Sequence, residues 1–173
     1  MGTESKEQII SKVSEYIHWL TIPKKEFNNM PPCPFLDKEM RDDKLYIDIW
    51  YPHNNTFMEL MESFLLSGKN SALIICPNTH TIDYSQVSRS DIQRKITDLL
   101  RKNPQTDYLK ALTFSPYEDF EVAGVKTRSD APYFLINVAP TDLLGKSHKD
   151  LIKTKYFDNF SDEDKKRLNV PKK

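Results

Sequence analysis

Glycine is scarce in this 173-residue chain: there are four, Gly2, Gly68, Gly124 and Gly145. Phosphate-cradling turns need several glycines at fixed spacing, so neither a P-loop nor a dinucleotide-binding turn can be assembled. The Gly-x-Ser-x-Gly elbow of serine hydrolases is missing as well. Cysteine is scarcer still. Cys33 and Cys76 make no disulfide framework. Met1 to Glu7 is polar and leads into an amphipathic stretch instead of an apolar signal core. Reduced thiols and a cytoplasmic location are therefore expected, and the sequons at Asn54 and Asn159 carry no weight without secretion. The longest unbroken apolar run, Ala72 to Cys76, falls far below a membrane span. Charge of one sign is also missing, with 25 Lys+Arg against 25 Asp+Glu. No net charge draws the chain to nucleic acid or to anionic lipid. The partner left by these absences is a small molecule or another protein, with oligomeric state open.

What is present suits one small domain. Apolar residues make up 38% and charged residues 29%, and the mean hydropathy is −0.62, which describes a modest core under a solvated surface. Ile9, Ile10, Val13, Ile17 and Leu20 share a helical arc, predicting a helix over about residues 5–20. From Ile22 to Asp43 there is no period, and Pro31-Pro32-Cys33-Pro34 reads as extended loop. Leu45 to Tyr51 alternates as a strand suited to a sheet edge. Thr56-x-x-Glu59 is a capping box before Phe57, Leu60, Met61, Phe64 and Leu65, and Gly68 suits the helix end. Ala72 to Cys76 reads as a central strand covered on both faces. Ser90-x-x-Gln93 reads as a second capping box, for a helix through Ile92, Ile96, Leu99 and Leu100.

Leu109 to Phe114 and Tyr133 to Val138 are two further strands. Between them Phe120 to Gly124 suits a short hairpin arm. Thr141-Asp142 can cap a last helix weakened by Gly145. The alternately charged residues 161–173 read as a tail that frays after a helical turn. The expected fold is α/β (α+β), a single globular layer domain over residues 1–160, with a mixed four- or five-stranded sheet. Its element order is α-β-α-β-α-β-β-α. Without a helix between the third and fourth strands, the last one returns antiparallel.

Each of the four strands stops at a proline, at Pro52, Pro77, Pro116 and Pro140. Proline cannot donate to a sheet ladder, so each marks a strand exit, and ligands of open α/β sheets bind beyond the carboxyl ends of strands. An antiparallel last strand sends Pro140 to the opposite edge, leaving three exits on one rim. Candidate catalytic residues there are Cys76, His80 and Ser115. A thiol ending a buried strand with an imidazole four residues on can be nucleophile and base, or two metal ligands. Cys33 and His53 can supply further ligands if the Pro-rich loop folds over the exits. The plainer reading makes Cys76 an ordinary buried thiol and His80 a loop residue. Ser115-Pro116-Tyr117 places a hydroxyl and a phenol beyond the third strand. Arg128, in Lys126-Thr127-Arg128-Ser129, can offer a fork to an anion. The ligand-binding candidates are thus Cys33, His53, Arg128 and Tyr117. Neither a metal nor a cofactor is specified.

The order Cys33-Pro34-Phe35, Ala72 to Pro77, Leu112 to Phe120, Ala123-Gly124, Arg128-Ser129 and Pro132-Tyr133 resembles a bacterial family known only as domain of unknown function 1415. The likeness runs from Trp19 to about Ile152. It implies a fold and a shared rim but no activity. Cys33, Arg128, Ser129, Pro132 and Tyr133 keep the family's motifs, the last four with shifted spacing. Two His-Pro positions are here Cys76 and Ser115, and the histidine of the fourth strand is Asn137. A thiol site using Cys33 with Cys76 and a divergent, non-catalytic descendant are both compatible with these departures. Two readings follow. One is a small-molecule or metal pocket at the strand exits, thiol-dependent if enzymatic. The other is a non-catalytic interaction or assembly module of viral type.

Overall fold

Helix starts in this protein are set by short polar side chains that satisfy otherwise unpaired backbone N–H groups. The computed structural model describes residues 4–171. Ser5 and Gln8 form a reciprocal capping box before α1 (Lys6–Thr21), which buries Ile9, Val13, Tyr16, Ile17 and Leu20. Thr56 and Glu59 do the same before α3 (Phe57–Leu66), and Gly68 follows with φ of +69°, as the sequence predicts. For α4 (Arg89–Arg101) the cap is Ser88, whose side chain accepts from the Asp91 N–H. The expected box on Ser90 is displaced because Ser90 already lies inside the first turn. The last long helix, α5 (Thr141–Ile152), starts without a side-chain cap, since Pro140 takes the N-cap position.

The stretch from Ile22 to Asp43 is not the extended loop its prolines suggest. It holds a tight helical turn at Lys25–Phe27 and α2 (Pro34–Arg41). Pro34 occupies the first helical position, where its missing N–H costs nothing and its fixed φ suits the helix. Leu36 and Glu39, three apart, then face inward.

The sheet order is β1 (Leu45–Ile49), β2 (Ser71–Cys76), β6 (Phe134–Pro140) and β3 (Leu109–Phe114). β1 and β2 are parallel, and β6 is antiparallel to both β2 and β3. A two-stranded hairpin, β4 (Glu121–Val122) with β5 (Val125–Lys126), turns at Ala123 and Gly124, both at positive φ. The mixed sheet and its flanking helices make an α+β fold. The exits at Pro52, Pro77 and Pro116 share one rim with the start of β6, while Pro140 ends β6 at the other, as expected of an antiparallel return.

Alternation along the strands builds two cores. Ala72, Ile74, Cys76, Phe134, Ile136 and Val138 face α3 and α4. Leu73, Ile75 and Leu135 face α1 and α2. A third cluster, Phe27, Phe120, Val122, Tyr156, Phe157 and Phe160, ties the hairpin to the C-terminal segment. The charged stretch after Phe160 forms α6 (Asp162–Arg167), and Leu168 and Val170 pack on that cluster instead of fraying. Met1 to Thr3, Lys172 and Lys173 lie outside the described residues. Among the described residues no helix is long and apolar enough to cross a membrane.

Gly145 sits exposed within α5, with open space where a Cβ would stand. Gly145→Ala is expected to stabilise the protein by about 0.5–1 kcal/mol through helix propensity, measured as a rise in the urea unfolding midpoint at unchanged m-value.

Candidate functional site

The three-exit rim does not gather its predicted residues into one constellation. Cys76 ends β2 fully buried in the core under α3 and α4. Its Sγ lies 3.9 Å from the Ile74 carbonyl, and burial pushes its pKa up to about 12. His80 is exposed on the following loop, and His53 is exposed beside the Tyr51 ring. Ser115 is buried and its Oγ accepts from the Tyr117 N–H at 3.2 Å, a local turn contact. The Tyr117 hydroxyl accepts from Asn78 Nδ2 at 3.1 Å. Asn78 in turn holds Asp83 and the Tyr84 N–H. These contacts staple two exit loops together. They leave no nucleophile beside a base. Among the described residues no group of three His, Cys, Asp or Glu side chains is placed to hold a metal ion.

Two predicted residues do come together, on the opposite face of the sheet from Cys76. Cys33 is the N-cap of α2 and packs against the α1 core. Arg128 lies in the loop before β6, and the two influence each other's ionisation. The loop is pinned on either side of Arg128. The Tyr16 hydroxyl donates to the Thr127 carbonyl, and the Ser129 hydroxyl donates to the Phe120 carbonyl at 3.2 Å. The Arg128 guanidinium is thereby laid over Phe120, 4.4 Å from the ring centre, and beside Phe114 at 5.8 Å.

Phe120 collects two more arginines. Arg89, the first residue of α4, lies 5.7 Å from its centre and Arg167 of α6 lies 4.6 Å away. The start of α4 is latched to β3, because Thr113 Oγ1 donates to the Arg89 carbonyl and the Thr113 N–H donates to Gln93. Each of these arginines has a carboxylate. Glu118 accepts from the Arg89 backbone N–H, and its other oxygen is 3.3 Å from Arg89 Nε. That Nε is nevertheless buried without a hydrogen bond, since its N–H is not aimed at the oxygen. Arg167 Nη2 donates to Asp164 Oδ1 at 2.6 Å and to the Glu121 carbonyl. The other Asp164 oxygen accepts from the Ala123 N–H.

Arg128 is different. Among the described residues no hydrogen bond or ion pair reaches its guanidinium, and no carboxylate is among the groups that shift its ionisation. Burial, followed by the Arg89 charge, lowers its pKa to about 10, and Arg167 pushes the same way. A cation held against two others without an anion is an unfinished electrostatic arrangement. It is not sealed, because the partnerless buried nitrogen in this region is that of Arg89 alone.

Cys33 does not supply the missing anion. Burial raises its pKa, outweighing the Leu36 N–H and Arg128, so the thiol stays protonated at neutral pH. Tyr16 and Tyr156 complete the surroundings. Both phenols are raised by burial, and Tyr156 OH donates to the Pro32 carbonyl at 2.5 Å. Sequence reasoning names Arg128 and Cys33 but misses Arg89, Arg167, Phe120, Tyr16 and Tyr156. No spacing relates residues 89, 128 and 167, and the charged C-terminal stretch carries no periodic signal.

No protein-family model, curated protein or solved structure matches this chain.

The buried Cys76 thiol has a defined effect on stability. Its folded pKa of about 12 lies above the unfolded value, so the neutral thiol favours folding fully below the unfolded pKa. That contribution is lost as pH rises from about 8.5, where the unfolded thiol ionises, through about 12, at up to about 1.4 kcal/mol per pH unit. Urea unfolding between pH 8 and pH 10.5 should show the decline, and Cys76→Ala should remove this part of the slope. An unchanged slope in the variant would contradict the assignment.

Proposed function

We propose that this chain is a binding protein for a small anionic molecule, anchored by Arg128 where the β3 exit meets the α1–α2 face. The observation that carries the reading is the Arg128 guanidinium, which has no carboxylate among the described residues while Arg89 and Arg167 beside it each have one. Charge-assisted hydrogen bonds to a guanidinium fork are the strong ones. Binding sites characteristically hold groups whose partners arrive with the ligand. Both thiols are held protonated by burial, so recognition suits these residues better than thiolate catalysis. The reading keeps the strand-exit neighbourhood and shifts its centre from Cys76 and His80 to Arg128 and Cys33. The resemblance to domain of unknown function 1415 is part of the proposal. The chain keeps Cys33-Pro34-Phe35 and Arg128-Ser129, and the Cys33 thiol and Arg128 guanidinium influence each other's ionisation. It departs at Cys76 and Asn137, inside β2 and β6, and at Ser115, just beyond the end of β3.

Thermal unfolding in matched ionic strengths of chloride, formate, acetate, sulfate and phosphate tests the reading. At least one oxyanion should raise Tm above chloride, because a ligand at a hundred times its Kd adds about 2.7 kcal/mol. Arg128→Gln should lose that response. Its own stability should stay within about 1 kcal/mol of wild type, since it exchanges a ring contact for relief of charge repulsion. Equal responses of wild type and Arg128→Gln to every anion would overturn the proposal.

A further inference from the structure

We infer that the outer edge of β1 is a self-pairing surface, which joins the four-stranded sheets of two copies of the chain through antiparallel β1–β1 contact.

The backbone groups of β1 divide by direction. The Ser71 N–H donates to the Lys44 carbonyl and the Trp50 N–H to the Ile75 carbonyl, so residues 44 and 50 face β2. Strand alternation then turns the ladder groups of Leu45, Ile47 and Ile49 outward, where β1 has no neighbouring strand. Among the described residues no hydrogen bond reaches the N–H groups of Leu45 and Ile47. Ile49 is answered by its own neighbour, because Asp48 Oδ1 accepts from its N–H at 2.8 Å. A row of unpaired ladder groups is a template for another strand.

The opposite edge of the sheet is closed. On β3 the outward N–H groups of Leu109 and Thr113 go to the Thr106 carbonyl at 2.9 Å and to Gln93 at 3.1 Å. Lys110 stands exposed in that strand, a charge of the kind that keeps edges from pairing. β1 has neither lysine nor proline between Leu45 and Ile49. Its flanks are apolar. α3 lies along it, with Phe57 against Trp50 and Phe64 against Tyr46 at ring-centre distances of 5.2 and 6.0 Å. That helix ends in Leu66, which is 90% exposed. Met40, near the end of the α2 helix that leads into β1, is exposed as well.

The register selects a second copy as the occupant. With Ile47 on a two-fold axis, all five residues of β1 pair. On the side of α1 and α2, Leu45 faces Ile49 of the second copy. On the other side Tyr46 faces Asp48 of the second copy, and the exposed Lys44 faces its Trp50 and lies diagonal to its Asp48. Opposite charges, and a cation beside an indole, are favourable cross-strand neighbours. The Tyr46 hydroxyl already donates to Asp48 within one chain, at 2.9 Å, so these groups can exchange partners across the axis. Pairing asks Asp48 to release the Ile49 N–H to the Leu45 carbonyl of the second copy. Neighbouring registers are worse. Sliding one way sets Asp48 against Asp48. Sliding the other way sets Ile49 against Asp43, whose φ of +51° takes it out of the strand.

Sedimentation velocity and hydrogen exchange of the full chain, from about 5 µM to about 500 µM, test this. The chain should sediment as a dimer toward the upper end. There the Leu45 and Ile47 amides should exchange at least about tenfold more slowly than unstructured backbone, as Tyr46 and Asp48, bonded to β2, do at every concentration. Ile47→Lys sets two ammonium groups together on the axis and should sediment as a monomer throughout, with its Tm showing that it folds. A wild-type monomer at every concentration would overturn the proposal. So would a dimer whose Leu45 and Ile47 amides exchange freely, a reading that holds even if the variant is unstable. A folded Ile47→Lys that dimerises as wild type does would overturn it too.

Discussion

The direction of β6 decides where everything else goes. This strand is paired along both edges, Ala72 opposite Val138 on one side and Ala111 opposite the same residue on the other. It joins β2 to β3, which do not touch each other. Because it runs against both, its first residues lie at the rim where β2 and β3 end, Cys76 opposite Phe134 and Phe114 opposite Leu135. The loop leading into β6 is therefore delivered to that rim, and Arg128 with it. A parallel β6 of the same sequence would place Arg128 at the far edge, beside the start of β2. Ladder hydrogen bonds on two edges and the buried side chains Phe134, Leu135, Ile136 and Val138 hold that choice.

At the rim, the arginines are sorted by what the backbone gives each one. Arg89 begins a helix, where a carboxylate such as Glu118 is favoured by the free N–H groups as well as by the side chain. Arg167 ends one and reaches back to Asp164, itself held by the Ala123 N–H. Arg128 stands in a loop whose neighbouring hydroxyls hold main-chain carbonyls, so nothing local answers its charge. The Phe120 ring accepts all three cations on its electron-rich surface, which softens their repulsion without cancelling it. Natural structures tolerate such local conflict where a partner arrives from outside.

Much of the fold is legible in the sequence because the signals are local. The spacing in α1, the Thr56–Glu59 box and the unbroken run of β2 each report on a few neighbouring residues, and they agree with the structure. Where one residue type carries opposite meanings, local reading fails. Pro34 reads as a helix breaker in a run of prolines, yet at the first helical position it starts α2. Ser90 and Ser88 are equally good caps on paper, and the latch of Thr113 onto Arg89 favours the earlier start. The site is less legible still. Cys33 and Arg128 are separately recognisable as chemical residues, but their meeting depends on α2 and on the direction of β6. Arg89 reads as the end of a polar loop, Arg167 as one charge among many, and Phe120 as part of a hairpin. Only the third hydrophobic cluster, built from residues 27 to 160, brings that ring under those cations.

The Phe120 ring is covered by residues 89, 128 and 167, so its last cation comes from α6, which follows every strand in the chain. During synthesis the sheet can close once β6 has emerged, well before Arg167 does. A chain interrupted after α5 would keep all six strands and lack one wall of the cluster. Completion of the sheet and completion of the arginine cluster are therefore separate events, the second waiting on Arg167 and its Asp164 partner.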